Sequence, residues 1–278
     1  YKLFTEGQDK AFLKSSFGSY ISPELIDQMY ESKSAPSLGG EEGYNTAFFS
    51  DIASFSTFSE KLSAPDLVEL LNEYLNEMTN ILLENKGTLD KYIGDAILIF
   101  FGDPETDGVK EDAIKCVNMA IAMQSRMKEL ENEWAEKFGL REPLQIRVGI
   151  STGYCTVGNF GSEDRLDYTV IGAQVNLASR LESIANPGSI LLSFDTYSQI
   201  SKEINCVELE KVRVKGISQE VRTFEVIMDD KKAKNIVDIK TNNLNLSADL
   251  ERLQIDEINK LADFLEEARK KLDAKTTK

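Results

Sequence analysis

The chain has 278 residues, 41% of them hydrophobic, and a formal net charge of −15. This length supports one full hydrophobic core with flanking segments, and the acidic balance argues against nucleic acid as a partner. The absence of histidine excludes the Ser-His-Asp triad, the Cys-His dyad and His-ligated zinc. An enzyme built from this chain must therefore use carboxylates, cations and metal ions.

The composition also indicates a cellular compartment. No apolar run approaches the ~20 residues that a membrane-spanning helix needs, and no signal peptide opens the chain. The cysteines, Cys116, Cys155 and Cys206, are odd in number and lack motif spacing. We therefore expect reduced thiols and a cytoplasmic location, either free or as the cytoplasmic part of a membrane-anchored protein.

The N-terminal segment has a helical pattern followed by a loop composition. Apolar residues near a 3.6-residue period predict a helix over residues 8–30. Prolines and glycines then predict a loop over residues 32–44. Residues 1–43 are accordingly interpreted as a linker or signalling helix that precedes the main domain.

Two acidic residues stand at the ends of predicted buried strands. The first strand, over residues 46–51, ends in Asp51, and a helix over residues 65–85 follows it. Residues 87–101 then predict a hairpin with Asp95 at its tip and Lys91 one pleat back. An isolated Gly-Asp often only makes a turn, but a second strand-end aspartate favours a shared magnesium site.

The remaining pattern alternates helices with strands. The segment over residues 144–151 predicts a strand with a hairpin partner over residues 154–158, followed by a polar loop over residues 161–167. The other predicted elements are helices over residues 113–138, 174–184 and 195–200 and strands over residues 168–171, 189–193, 207–209 and 223–227. This order fits an α/β protein with a mixed sheet covered by helices.

The last segment differs in composition. After residue 229 it becomes rich in Lys, Asp and Asn, which predicts a linker, and a period of apolar residues then predicts a helix over residues 247–272. Residues 229–278 are therefore interpreted as a linker and an amphipathic C-terminal helix that packs on the domain or on a partner, with a disordered tail as the alternative.

One predicted helix carries a pair of polar residues. Asn176 and Arg180 are four residues apart, which puts both on one helical face. Such a pair suits a ribose hydroxyl and a phosphate, although a solvated face explains it equally well.

Four motifs together resemble the class III nucleotidyl cyclases, over residues 44–228. They occur in the family's order: Phe49-Ser-Asp51-Ile-Ala-Ser-Phe55-Ser56, Asp90-Lys91-Tyr-Ile-Gly-Asp95-Ala, Arg147-Val-Gly-Ile-Ser-Thr-Gly153 and Asp167-Tyr-Thr169-Val-Ile-Gly-Ala-Gln-Val-Asn176-Leu-Ala-Ser-Arg180. The resemblance implies a ferredoxin-like βαββαβ core with a largely antiparallel sheet. It also implies an adenylate cyclase, which converts ATP to cyclic AMP and pyrophosphate.

The same resemblance implies a role for each matching residue. Asp51, Asp95 and the Ile52 carbonyl are similar to the ligands of two Mg²⁺ or Mn²⁺ ions. Phe55, Ser56, Arg147 and Lys215 match phosphate-binding positions, Lys91 and Thr169 match purine-reading positions, and Asn176 and Arg180 match the transition-state pair. One departure is Ser54, where many relatives carry glycine; a serine there fits if its φ is negative.

Alternative functions share part of this pattern. A guanylate cyclase has the same catalytic residues and differs in its purine readers, and a non-catalytic regulatory domain keeps the fold without the carboxylates. A diguanylate cyclase is disfavoured because its Gly-Gly-Asp/Glu-Glu-Phe turn is absent. The resemblance further implies a head-to-tail homodimer with shared sites, and an upstream sensor or membrane domain in the parent protein.

Overall fold

The computed structural model describes residues 38–162, 165–211, 220–228, 236–241 and 244–249. The chain divides into two compact units, Tyr1–Ile227 and Met228–Lys278. The predicted helix over residues 8–30, Lys215 and residues 250–272 lie outside the described residues. Within the described part of the chain, no helix is both long and apolar enough to cross a membrane.

An eight-stranded sheet forms the centre of the first unit as described. Its strands are β1 Gly39–Ile52, β2 Thr88–Ile93, β3 Ala96–Phe101, β4 Ile146–Ser162, β5 Arg165–Ile171, β6 Ile190–Ser193, β7 Cys206–Glu208 and β8 Thr223–Val226. They lie in the order β2-β3-β1-β4-β6-β8-β7, with β5 paired to β4. Only the β4–β6 pairing is parallel among these neighbours, so the sheet is mixed and largely antiparallel.

The described helices of this unit are α1 Phe55–Ser59, α2 Ala64–Glu84, α3 Val109–Phe138, α4 Ala173–Ile184 and α5 Phe194–Ile200. Helix α2 begins where the Ser63 side chain accepts a hydrogen bond from the backbone N–H of Asp66. Helix α3 ends at Gly139, which has a left-handed φ of 67°. Helix α2 thus begins one residue before the predicted helix over residues 65–85, and α3 ends at residue 138 as predicted.

The order of these elements is the ferredoxin-like one. The succession β1-α2-β2-β3-α3-β4 gives a βαββαβ unit, and its four strands are neighbours in the order β2-β3-β1-β4. All six residues of β3 are buried, as expected for a strand covered on both faces. The predicted fold class is therefore confirmed.

Long strand pairing overturns three local predictions. Strand β4 continues through the predicted hairpin turn and pairs with β1 in unbroken register from Gly39↔Asn159 to Ile52↔Ile146. The predicted loop over residues 32–44 therefore becomes strand from Gly39 onward, and the predicted loop over residues 161–167 is mostly strand. Glycines suggested turns here, but Gly158 lies so close to Gly39 and Gly40 that a Cβ would clash with their backbone.

Two further expectations were wrong. Ser54, directly before α1, has a φ of 59°, so a serine occupies the left-handed conformation that favours glycine. In the second unit, the predicted linker contains strand β9 Ile236–Thr241, and the predicted helix start is instead strand β10 Leu244–Asp249. These strands pair as an antiparallel hairpin whose backbone bonds override the weak helical period.

Candidate active site

The carboxyl groups of Asp51 and Asp95 meet at one end of the central strands. Asp51 is the penultimate residue of β1, and Asp95 lies in the turn between β2 and β3, which pairs with β1. The backbone N–H of Ile52 donates to Asp95 Oδ2 over 3.1 Å. Burial raises the pKa of Asp95 to about 7, and the hydrogen bond and negative charge of Asp51 act in the same direction.

This pair fits a divalent cation. Two carboxylates that converge in a half-buried site repel each other, and this repulsion adds to burial in raising the pKa of Asp95. A hard cation such as Mg²⁺ accepts one or two carboxylates together with substrate oxygens. No group of three or more His, Cys, Asp or Glu side chains arranged for a metal occurs among the described residues. Any ion at this position would therefore take its remaining ligands from backbone, substrate or water.

Arg147 lies beside the carboxylate pair. Its Nη2 is 2.9 Å from Asp51 Oδ2, because Asp51 and Arg147 are register partners on β1 and β4. The same nitrogen is 3.0 Å from Glu182 Oε1. Glu182 is only 4% exposed. Burial raises the pKa of Glu182 to about 7, while the charge of Arg147 opposes this shift and that of Asp51 adds to it. The guanidinium is thus held between two acids from different elements.

A glycine brings α4 into this arrangement. A Cβ on Gly149 of β4 would lie 2.0 Å from the Ala178 carbonyl oxygen and 2.3 Å from the Glu182 nitrogen, so only glycine allows this approach. Helix α4 consequently packs on β4 and β1 and carries Glu182 to Arg147. Asn176 is exposed and Arg180 is half-buried on the same helix, one turn apart.

Lys91 and Thr169 are brought together by a residue that the sequence did not single out. Asp90 Oδ2 accepts hydrogen bonds from Thr169 Oγ1 over 2.6 Å and from the Val170 N–H over 3.0 Å. Lys91 Nζ lies 3.3 Å from Asp90 Oδ1 and 2.5 Å from Asp167 Oδ2. The β4–β5 extension therefore folds over β2, so that both predicted purine readers belong to one cluster within one chain.

The pKa values of this cluster reflect its burial. Burial raises the pKa of Asp90, and the hydrogen bonds from Thr169 and Val170 together with the charge of Lys91 offset only part of the shift. For Lys91, burial acts to lower the pKa, but the hydrogen bond to Asp167 and the charge of Asp90 outweigh it and raise the pKa. The ammonium is accordingly stabilised by two acids.

The predicted phosphate-binding residues are only partly described. Phe55 and Ser56 open α1, three and four residues after Ile52, with Phe55 half-buried and Ser56 exposed. Arg147 lies next to Asp51, as given above, and Lys215 lies outside the described residues. The roles of these residues, like those of Ile52, Asn176 and Arg180, remain predictions.

Sequence reasoning missed three residues that organise the site. Asp90 and Glu182 lie next to or near predicted functional residues, Lys91 and Arg180, and both are buried acids. Gly149 stands two residues after Arg147 in the same motif. Asp90 and Gly149 lie within two of the motifs and Glu182 lies close to a third, and this was the available signal, since their partners come from distant parts of the chain.

With this fold and site, the comparisons with known proteins assign the family. A family model described as "Adenylate and Guanylate cyclase catalytic domain" matches residues 41–228. The chain therefore belongs to the family of adenylate and guanylate cyclase catalytic domains, which confirms the resemblance inferred from its motifs.

Individual relatives of both substrate classes are similar to this chain. The "Adenylate cyclase, terminal-differentiation specific" of Dictyostelium discoideum is 35% identical over 235 residues, 82% of this chain and 10% of its own length. The crystal structure of the adenylyl cyclase CyaB from P. aeruginosa shares 47% identity with a TM-score of 0.67, covering 75% of this chain and 100% of that one. The guanylyl cyclase Cya2 shares 34% identity with a TM-score of 0.64, covering 68% and 94%.

The matches to the curated relatives cover only part of those proteins. The chain spans between 10% and 34% of the length of its curated relatives from Dictyostelium, Rhizobium and Mycobacterium. The activity and partners of those whole proteins are therefore not transferred directly.

Proposed function

We propose that this domain is an adenylate cyclase that converts ATP to 3′,5′-cyclic AMP and pyrophosphate. The observation that carries the proposal is the convergence of Asp51 and Asp95 beside the fixed guanidinium of Arg147. Carboxylates in that arrangement suit divalent cations, and the guanidinium beside them suits the phosphates of a nucleotide. The 47% identity to the CyaB adenylyl cyclase supports the same substrate.

In this proposal Asp51, Asp95 and the Ile52 carbonyl hold two Mg²⁺ or Mn²⁺ ions. Bound there, the ions would supply charge neutralisation of the triphosphate and a lower pKa for the attacking hydroxyl. A cation and a proton compete for the same carboxylate, so a cation bound to Asp95 would displace the proton that its raised pKa favours. Arg147 remains beside Asp51 and presents its positive charge to the phosphates.

The reaction forms one bond and breaks one. The ribose 3′-oxygen attacks the α-phosphorus in line and loses its proton to Asp51 or to water, and the bond from that phosphorus to the pyrophosphate oxygen breaks. Asn176 would orient the ribose, and Arg180 would neutralise charge that grows on the α-phosphate. Phe55 and Ser56 at the start of α1 and Lys215 would contact the departing phosphates.

Substrate choice is assigned to Lys91 and Thr169. Adenine N1 accepts a hydrogen bond, which an ammonium donates, and the exocyclic amine donates, which a hydroxyl oxygen accepts. Guanine carries a donor at N1 and an acceptor at C6, so both contacts would be mismatched. Guanylate cyclase remains the second candidate because the guanylyl cyclase Cya2 shares 34% identity with the chain.

The same proposal includes a head-to-tail homodimer. Within one chain, the Lys91 ammonium is paired with Asp90 and Asp167, whereas Asp95 interacts with Asp51. As the family resemblance implies, each chain would lend its aspartates to one site and its purine readers, with Asn176 and Arg180, to the other.

We also propose that the parent protein carries a sensor or membrane region and that the domain works in the cytoplasm. The small share of the curated relatives' length that this chain spans supports further regions in the parent protein.

Incubation with Mn²⁺ and either ATP or GTP, with the products identified by mass, tests the function. We expect cyclic AMP and pyrophosphate from ATP, with kcat/KM for GTP well below that for ATP. Asp95→Ala and Arg180→Ala serve as controls for adventitious turnover and should be inactive. Equal or better use of GTP would reverse the substrate assignment, and the absence of any cyclic product would contradict the function.

A further inference from the structure

Asp90 is a charged group that the proposed reaction does not use, and its side chain is 0% exposed. A buried carboxylate is costly unless every contact around it is favourable. Asp90 meets this requirement with Thr169 Oγ1 at 2.6 Å and Val170 N at 3.0 Å on one oxygen, and with Lys91 Nζ at 3.3 Å from the other. The last contact is ionic, because Oδ1 has no well-aligned hydrogen bond.

A bulge in β2 explains how the consecutive side chains of Asp90 and Lys91 both contact β5. The register between β2 and β3 shifts at this point, since Leu89 pairs with Ile99 and Lys91 already pairs with Leu98. Asp90 is therefore the extra residue of a β-bulge. In a regular strand, neighbouring side chains point to opposite faces, so Asp90 and Lys91 could not both contact β5. The bulge redirects one of them.

The Asp90 carboxylate fixes the polarity of the Thr169 hydroxyl. An ionised carboxylate only accepts hydrogen bonds, so Thr169 Oγ1 must donate its single hydrogen to Asp90. Only the oxygen lone pairs of Thr169 remain for a ligand. Thr169 itself is 9% exposed, so a small part of its surface is available to a ligand. A hydroxyl is normally able to donate or accept, but here it is restricted to accepting.

The same carboxylate orients Lys91. Two acids, Asp90 and Asp167, hold the ammonium from two strands. An ammonium has three N–H donors and no acceptor, so a donor remains for a ligand. The cluster therefore offers one donor and one acceptor in a fixed arrangement.

We propose that Asp90 is a positioning residue for base selection. It makes Thr169 an obligate acceptor and Lys91 an anchored donor, and this pair selects adenine over 6-oxopurines. This inference rests on the proposed nucleotide cyclase function and deepens it. Without Asp90, Thr169 can rotate its hydrogen toward the ligand and donate to the C6 oxygen of a 6-oxopurine. Lys91 and Thr169 alone therefore do not determine the base.

Three nucleotides and three variants test this role. ATP, ITP and purine riboside triphosphate differ only at purine positions 1 and 6, since ITP is a 6-oxopurine and purine riboside lacks the exocyclic amine. Asp90→Ala removes the acceptor. The matched control, Asp90→Asn, loses the charge, but its amide oxygen still accepts from Thr169 and Val170. Thr169→Val removes the hydroxyl and leaves Asp90 paired with Lys91.

For the wild type, we expect kcat/KM for ATP to exceed that for purine riboside triphosphate by about tenfold and that for ITP by about a hundredfold. Asp90→Ala should reduce the preference for ATP over ITP by about tenfold. In Thr169→Val, the preference for ATP over purine riboside triphosphate should nearly vanish. In Asp90→Asn, that preference should persist, while KM rises and kcat changes little because only the anchor of Lys91 is weakened.

The contrary outcomes are distinct. An equal fall in kcat for all three nucleotides in Asp90→Ala would assign Asp90 a purely structural role. If Asp90→Ala does not fold, loss of the preference for the exocyclic amine in Asp90→Asn overturns the proposal, and its retention with a raised KM supports it.

A binding measurement separates this inference from the proposed function. Calorimetry with the α,β-methylene analogues of the same nucleotides gives Kd ratios that need no turnover. A wild type that forms no cyclic product refutes the function alone. Kd ratios that are the same in the wild type and in Asp90→Ala would overturn the positioning role even in an active enzyme.

Discussion

The Nη2 atom of Arg147 is 2.9 Å from Asp51 Oδ2 across the paired strands β1 and β4. The same nitrogen is 3.0 Å from Glu182, which α4 brings in. A predicted phosphate-binding cation is thus oriented by a predicted metal ligand on one side and by a buried acid on the other. The site's charges are coupled before any nucleotide arrives.

Replacement of Arg147 by Met should destabilise the protein in a pH-dependent manner. Glu182 is buried with a pKa raised to about 7, and loss of the opposing guanidinium raises this pKa further. Below pH 6, Glu182 is largely protonated in both proteins, so the loss of its ion pair with Arg147 costs little and only the lost contact with Asp51 remains. Above pH 7, the wild type ionises beside Arg147 while the variant cannot, and we expect an added loss of about 2 kcal/mol.

Urea unfolding at pH 6 and pH 9 measures this difference. The double variant Arg147→Met with Glu182→Gln is the matched control and should lose the pH dependence. An equal loss of stability at both pH values in Arg147→Met would show that the ion pair with Glu182 does not contribute to stability.

Asp95→Asn should abolish turnover and yet stabilise the metal-free protein. The folded-state pKa of Asp95 is raised to about 7, so its ionisation opposes folding. This penalty is absent below its ordinary pKa near 4, grows as the pH rises toward 7 and is constant above. Because the carboxyl is half-exposed, solvent screening reduces the gain to about 1 kcal/mol at pH 8. The asparagine oxygen can still accept from the Ile52 N–H.

Thermal unfolding in EDTA at pH 8 and pH 5 checks the sign. The advantage of Asp95→Asn should be larger at pH 8, and added Mn²⁺ should raise the Tm of the wild type more than that of the variant. A variant less stable than wild type at pH 8 without metal would contradict the repulsion between Asp95 and Asp51.

Gly149→Ala should disturb α4 and, through it, the catalytic pair. The new methyl group would overlap the Ala178 carbonyl at 2.0 Å, and backbone cannot move aside as a flexible side chain can. We expect a loss of about 3 kcal/mol in unfolding free energy. We also expect a fall in kcat at temperatures where the variant remains folded, because α4 carries Asn176 and Arg180.

Gly43→Ala provides the comparison for this variant. The three atoms nearest to a methyl group there all belong to the Asn45 side chain, the closest at 3.0 Å, and none belongs to α4. Its effect on kcat should be small. If both variants lose kcat to the same degree, the effect of Gly149→Ala does not come from α4.

Complementation should restore activity if the sites are shared between two chains. Asp95→Ala and Arg180→Ala should each be inactive alone, but a mixed dimer contains one site with an intact aspartate pair and an intact Arg180. We expect activity to return in the mixture, and specific activity of the wild type to fall on dilution below the dimer Kd. A mixture that stays inactive although heterodimers form would rule out the shared site.

Particular residues show how much of the structure could be predicted from the sequence. The β2–β3 hairpin, the Ser63 cap of α2 and the end of α3 at Gly139 follow local rules of turn chemistry, capping and burial. The approach of Asp51 to Asp95 also followed, because both stand at the ends of strands that were expected to be neighbours. Four ordered motifs were sufficient to indicate the cyclase family.

The unbroken β4, the serine with a φ of 59° and the partners of Glu182 and Asp90 were decided only by the tertiary structure. For β4, Glu182 and Asp90 the deciding contact joins residues far apart in the chain. The Asp90–Thr169 hydrogen bond spans 79 positions, and the hydrogen bond between Arg147 and Asp51 spans 96. A local pattern determines which element forms and which residue ends it. It does not determine which atoms two elements bring within 3 Å of each other, because that depends on register, bulges and close approaches set by the whole sheet.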